Sequence, residues 1–255
     1  MDPVHPDDDE RPSDTVVPSE GRVHGRLSQL FTGAVHGAAA KEAPAALSRA
    51  CVDLMDVSGA SVSLYGGDEA RTLWWSSNDV AGRLAEAQYT LGDGPCRTAM
   101  QQAAPVLAAD LAQGADAVRW PVFAQQALGL GVRAVFCLPL GSNGQAIGTL
   151  DLYRDRPGPL SESDLAFAFP AADAVTTALL ALQANEPADG LDGSWLDVAE
   201  TDHEEVHQAT GMIMVQLGVD PLDAMARLRA HAFSHGQTVT EAAFDVIAGR
   251  IRFHD

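Results

Sequence analysis

Apolar residues recur at regular spacings through the middle of the chain, and the spacing changes from one segment to the next. Residues 43–56 place apolar side chains three or four positions apart, which predicts an amphipathic helix. Residues 60–65 and 71–76 carry apolar side chains around a Gly-Gly-Asp turn, which predicts a β-hairpin. Two further strands are predicted over residues 133–140 and 146–153, joined by a Gly-Ser-Asn-Gly turn.

Shorter elements fill the space between the hairpin and these strands. The pattern predicts three short helices and one short strand, over residues 79–88, 95–103, 121–128 and 105–108. A long helix begins with a capping sequence at Ser161 and runs towards Ala184, with Pro170 predicted to kink or break it. This order of elements predicts an α+β domain with a mainly antiparallel sheet.

The last part of the chain shows only helical spacing. Its first helix has an apolar stripe at Val206, Ala209, Ile213 and Leu217. Asp220 begins a second helix that Gly236 ends, and a capping box at Thr238 begins a third. Three helices of this length bury little surface alone, so we expect the bundle to pack on a partner.

Acidic residues are concentrated in two segments of the chain that flank the first predicted domain. The chain has 255 residues and a net charge of −19. An acidic, proline-containing tail over residues 1–24 is predicted to be disordered, and an acidic linker is predicted over 185–200. A first domain is therefore expected over 25–184 and a second over 201–255. Such a charge repels nucleic acid from most of the surface, so any nucleic-acid contact requires a local patch.

Several classes of protein do not match the sequence. No run approaches the about 18 apolar residues of a membrane-spanning helix, and the acidic start differs from a secretory signal. Three separated cysteines without a CxxC pair argue against a disulfide framework or a zinc site. We therefore expect a cytoplasmic protein with reduced thiols, no membrane partner, no metal and no cofactor.

The sequence has few combinations of residues that are typical of catalytic sites. No histidine lies between residues 37 and 202, and the sequence has no phosphate-binding glycine loop. His203 and His207 formally fit a zinc-protease motif, but a solvated acidic helix start is the favoured interpretation. Cys96 follows Gly-Pro at a helix start, where a thiol is either redox-active or an inert core residue. We therefore expect no catalytic residues.

Five segments in order resemble a bacterial GAF sensory domain. They are residues 91–96, 106–111, 119–124, 131–135 and 147–153. The resemblance implies a central antiparallel sheet flanked by helices, a small-molecule or protein signal, and frequent dimerisation. The candidate pocket residues are Trp74, Leu91, Cys96, Trp120 and Phe136. A packed aromatic core requires the same residue types, so both interpretations stay open.

The C-terminal segment resembles an ANTAR domain, a three-helix RNA-binding module of transcription antiterminators. The resemblance rests on residues 206–214 together with Gly218, Ala224, Leu228, Arg229, Ala232 and Ala243. It implies binding of paired hairpin loops in nascent messenger RNA, which prevents a competing terminator hairpin. The candidate RNA-binding residues are Ala209, Thr210, Gly211, Arg227, Arg229, His235, Gln237 and Thr238. Thr210 and the Gln237-Thr238 pair replace commonly basic residues, which weakens contact with phosphates.

The two resemblances together predict a cytoplasmic, homodimeric, non-enzymatic antitermination regulator with a GAF domain followed by an all-α ANTAR bundle. We expect the apolar positions Leu179, Leu180 and Leu182 to pair with a second chain. One alternative is a protein-interaction regulator whose bundle does not bind RNA. Another is a thiol-based sulfoxide reductase of GAF type, which would require Cys96 and Cys137 to act together.

Overall fold

A five-stranded antiparallel sheet in the order β2-β1-β5-β4-β3 lies at the centre of the first domain. Its strands are β1 (Gly59–Tyr65), β2 (Arg71–Ser76), β3 (Val106–Ala108), β4 (Ala134–Ser142) and β5 (Gln145–Arg154). The computed structural model describes residues 29, 42–65, 71–142, 144–184 and 203–254. The predicted acidic tail and linker lie outside the described residues.

Helices cover both faces of the sheet. They are α1 (Ala43–Leu54), α2 (Asp79–Leu91), α3 (Pro95–Gln102), α4 (Gly114–Arg119), α5 (Pro121–Gly129) and α6 (Glu162–Ala184). The predicted α+β class with an antiparallel sheet is confirmed. Helix α4 lies in a segment for which the sequence pattern predicted no element.

Alternation along β4 divides the interior into two hydrophobic clusters. Phe136 and Leu138 belong to the cluster formed with α1 and α6. Val135 and Cys137, one position away, belong to the cluster formed with α2, α3 and α5. Successive side chains of a strand point to opposite faces of the sheet, and this explains the division.

Helix α6 is long and apolar enough to cross a membrane by length and composition, contrary to the sequence expectation. Within this domain more than half of that segment is buried, and Phe167 and Val175 pack in the cluster beneath α1. Pro170 lies inside the continuous helix and does not break it. Of the leucines expected to pair with a second chain, Leu179 is 1% exposed and packs in its own core, whereas Leu180 is 38% exposed.

An ion pair joins the end of β5 to the start of α6. Arg154 Nη2 lies 2.9 Å from Asp164 Oδ2, and both side chains are nearly buried. Arg154 also donates hydrogen bonds to the backbone oxygens of Asp56 and Pro159. A buried guanidinium is tolerated where its donors are satisfied, as they are here by one carboxylate and two carbonyls.

Three helices form the second domain: α7 (Glu204–Leu217), α8 (Pro221–Ser234) and α9 (Val239–Ile247). The predicted caps are confirmed, because Asp220 accepts from Asp223 N and Thr238 forms a capping box with Glu241. The predicted apolar stripe supplies Val206, Ala209 and Ile213 to the bundle core. Tyr89 of α2 also belongs to that core, so the bundle packs on the first domain.

Candidate nucleic-acid interface

The predicted RNA-binding residues of α7 differ in exposure. Ala209 is 0% exposed in the bundle core, so its side chain packs the bundle and is not available to RNA. Thr210 is half-buried, and its hydroxyl donates to Val206 O at 2.7 Å. Gly211 is exposed, and a side chain placed there would point into open space. Gly211 is therefore the accessible member of this group.

The two predicted arginines of α8 have different surroundings. Arg227 is exposed to solvent. Arg229 is half-buried, and its Nε donates to Tyr89 O of α2 at 3.2 Å. Its guanidinium carbon lies 5.9 Å from the centroid of the Tyr89 ring. Residues two positions apart on a helix point in different directions, so only Arg227 faces solvent freely.

The remaining candidates surround the turn between α8 and α9. His235 is exposed, and its ring stacks on His231 with centroids 4.0 Å apart. Gln237 Nε2 donates to Asp245 Oδ2 at 2.9 Å. Thr238 Oγ1 accepts from Glu241 N at 3.1 Å as the N-cap of α9. Gln237 and Thr238 are thus already engaged in holding the turn.

Two residues beside this turn were not among the predicted RNA-binding residues. Phe253 approaches His231 edge-on with centroids 5.6 Å apart. Arg250 Nε donates to Asp245 Oδ1 at 2.6 Å. The hydrogen bond from Gln237 and, after it, the bond from Arg250 lower the pKa of the Asp245 carboxyl. Imidazole and phenyl rings are surfaces on which unpaired bases stack, so this cluster extends the candidate interface. The i, i+4 spacing of His231 and His235 was a sequence signal for the histidine pair, and it does not indicate Phe253.

The cleft between the domains has a volume of about 610 Å³. Gln237, Thr238 and Phe233 line its bundle side. The opposite wall comes from α2 and α5 and includes Glu86 and Gln126. Two of the predicted RNA-binding residues therefore face the first domain across this cleft.

The candidate sensory pocket residues lie on two faces of the sheet. Cys96 and Trp120 are buried in the cluster beneath α2, with Leu91 packed at its edge. Trp120 Nε1 donates to Thr98 Oγ1 at 3.2 Å. Trp74 and Phe136 pack in the other cluster. The five residues thus do not line one common pocket, because strand alternation separates them.

The three thiols are buried, and one histidine of the predicted pair stacks on an aromatic ring. All three cysteines are free and buried, and burial raises the pKa of the Cys51 thiol to about 12. His203 precedes α7 in a left-handed conformation, and its ring stacks on Tyr89 with centroids 4.1 Å apart. Among the described residues, no group of three or more potential metal-ligating side chains occurs.

The described residues thus form an α+β domain with helices on both faces of its sheet and a three-helix bundle. The family model of the GAF domain matches residues 42–180, and that of the ANTAR domain matches residues 196–247. The chain belongs to the GAF domain family, and its second domain is an ANTAR domain. ANTAR domains bind RNA and GAF domains bind small-molecule or protein signals, so the chain is a sensory regulator.

Solved structures with similar folds include two GAF domains and one reductase. The GAF domain of an Acinetobacter phosphoenolpyruvate-protein phosphotransferase is 12% identical to this chain. The match covers 67% of this chain and 99% of the Acinetobacter chain, with a TM-score of 0.49. The corresponding domain from Coxiella burnetii is 13% identical, with coverages of 64% and 95% and a TM-score of 0.49. A free methionine-R-sulfoxide reductase from Neisseria meningitidis is 16% identical, with coverages of 62% and 89% and a TM-score of 0.48. No curated protein matches the sequence.

Proposed function

We propose that this chain is a cytoplasmic, homodimeric antitermination regulator that binds paired hairpin loops of nascent RNA. The observation that carries the proposal is the order of its domains, a GAF domain followed by an ANTAR domain. In this proposal the GAF domain receives a small-molecule or protein signal. The bundle holds the loops and thereby prevents a terminator hairpin from forming. The chain itself performs no chemistry.

The accessible residues of the bundle suit loop recognition better than duplex recognition. Gly211 and Arg227 are exposed on α7 and α8, and His235 is exposed at the following turn. Single-stranded loops are recognised by stacking and by hydrogen bonds to base edges, with less reliance on phosphate charge. A bundle with few accessible cations is consistent with that mode of recognition.

One observation favours a second candidate function, a protein-interaction bundle without RNA binding. Arg250 is paired with Asp245, and Arg229 is engaged with Tyr89. Two of the four arginines among residues 203–254 are therefore engaged within the protein. Binding of a protein partner does not require free cations that contact phosphates. This candidate therefore predicts that added RNA does not change partner binding.

Transcription through a terminator tests the proposal. The purified full chain is added to single-round transcription of a template whose leader encodes two hairpins overlapping an intrinsic terminator. Leaders are chosen by selecting bound molecules from a pool of two-hairpin RNAs with randomised loops. The proposal predicts enrichment of particular loops and increased read-through on the enriched leader.

Gly211 offers a matched pair of variants for this assay. Gly211→Glu places a negative charge on an exposed position with open space around it, so it should repel RNA without disturbing the bundle. Gly211→Ala changes the same position without adding charge and should retain binding. Absence of loop enrichment by the parent protein favours the protein-interaction candidate, as does read-through that Gly211→Glu leaves unchanged.

A further inference from the structure

The sensory helix α2 contributes an aromatic side chain to the core of the RNA-binding bundle. Tyr89 is only 4% exposed, although it lies near the end of a helix of the other domain. It packs with Val206, Leu228 and Val239 in the bundle core. The ring also stacks on His203, so bundle residues enclose it. Undocking the bundle would expose this ring to water, which opposes separation of the two domains.

Two hydrogen bonds join the bundle to the last residues of α2. Val239 N, at the start of α9, donates to Thr90 Oγ1 at 3.0 Å. The first N–H groups of a helix have no partner within the helix, so α2 supplies one that α9 lacks. Arg229 Nε donates to Tyr89 O, close to the end of α2. Both bonds are lost if the bundle leaves α2.

The end of α2 is shaped to admit Arg229. Gly92 ends the helix in a left-handed conformation with φ of 65°. A Cβ atom at Gly92 would lie 2.8 Å from Arg229 Nη1, which is too close for an ordinary contact. A glycine therefore serves both the backbone turn and the approach of the guanidinium.

This contact involves three of the RNA-binding candidates that the sequence analysis named. Arg229 is turned towards α2, and Gln237 and Thr238 line the cleft between the domains. Glu86 of α2 lies across that cleft, with its carboxylate 3.5 Å from Thr240 Oγ1. The docked helix thus occupies space near the candidate face and places a carboxylate where RNA phosphates would approach.

We propose that the docked arrangement is autoinhibited, with the Tyr89 end of α2 and RNA competing for the face of the bundle that carries Arg229, Gln237 and Thr238. The inference rests on the proposed RNA-binding function. When only the undocked fraction binds, the apparent affinity falls in proportion to that fraction. Helix α2 also packs Ala81 and Leu84 into the sensory core, so a signal that moves this helix moves Tyr89 with it.

Replacing Tyr89 tests the inference in the full chain. Tyr89→Ala should weaken docking and tighten binding to the enriched two-hairpin RNA by about 5- to 150-fold, the usual range of coupling between sites. The salt dependence should steepen by about 0.7 in log–log slope, because Arg229 gains a phosphate contact. Tyr89→Phe keeps the ring and should behave as the parent protein.

Hydrogen exchange of the Val239 amide reports docking without RNA. Exchange should accelerate in Tyr89→Ala and in Thr90→Val, which removes only the hydroxyl acceptor and gives a second route to release. Faster exchange without tighter RNA binding would overturn the inference, as would unchanged exchange in both variants. If parent and variants all fail to bind any RNA of the pool while exchange reports release, the proposed function itself fails and the inference falls with it.

Discussion

The imidazole rings of His231 and His235 stack with centroids 4.0 Å apart at the end of α8. Burial is the main cause that lowers the pKa of His231 below its ordinary value, and the neighbouring His235 lowers it further. Asp245 acts in the opposite direction. The pKa of His231 thus depends on burial and on two neighbours with opposite effects. Each neighbour can be substituted separately.

Two substitutions should move the pKa of His231 in opposite directions. His235→Ala removes a positive neighbour and should raise it, whereas Asp245→Asn removes an anion and should lower it. NMR titration of the imidazole C–H signals measures both shifts, with His207→Ala as a control on another helix. Shifts in the same direction for both variants would contradict this account of the cluster.

The lowered pKa of His231 determines how stability changes with pH. The pKa of His231 is lower in the folded chain than the ordinary value of 6.5, so the unfolded chain binds more protons between the two values. The contribution of neutral His231 to the free energy of unfolding is fully present above pH 6.5. It is lost as the pH falls through the pKa of His231 in the folded chain. Denaturant unfolding at several pH values should show this loss, and it should be smaller in His231→Gln.

Removing Asp164 should destabilise the first domain severely. Asp164→Ala leaves the guanidinium of Arg154 buried without its carboxylate, and breaking such a pair costs about 3–5 kcal/mol. Asp56→Ala is the matched control, because that carboxylate is 60% exposed and exposed pairs contribute about 0–1 kcal/mol. Free energies of unfolding from denaturant titrations decide between them. Equal effects of the two substitutions would show that burial does not determine the contribution of this ion pair.

Sequence periodicity predicted the strands, the long helix and the three-helix bundle because apolar residues recur along each of them. It missed α4, a six-residue helix with no buried residue, since such a helix leaves no apolar pattern. It also predicted that Pro170 kinks or breaks the long helix, and the structure shows one helix that continues through Pro170. Burial against α1 and the sheet outweighs the local cost of one missing backbone hydrogen bond.

The candidate site was less predictable than the fold. The apolar stripe that placed Ala209 in the bundle core already argued against its contact with RNA. The pairing of Tyr89 with Arg229 joins residues 140 positions apart, and no local spacing indicates it. Phe253 likewise reaches His231 only because the chain folds back beside α8. These relationships depend on tertiary packing, which periodicity does not describe.

Dimerisation remains a prediction, and the exposed part of α6 gives it a test. Leu180 is exposed near the end of α6, whereas Leu179 is buried in its own domain. We expect the parent protein to sediment as a dimer at micromolar concentration and Leu180→Glu to weaken that dimer. Thr177→Glu, at another exposed position of the same helix, controls for added charge. A parent protein that sediments as a monomer would contradict the prediction.

The most direct test of RNA recognition by the bundle is a titration of the full chain with one- and two-hairpin RNAs at two salt concentrations. The account predicts that the two-hairpin RNA binds well beyond twofold more tightly, because the second contact of a dimer becomes intramolecular. It also predicts a shallow salt slope, equal to roughly one to three phosphate contacts per protomer at about 0.7 each, reduced further by Arg227→Ala. Equal affinity for both RNAs and for Arg227→Ala, or no binding at low salt, would contradict the account.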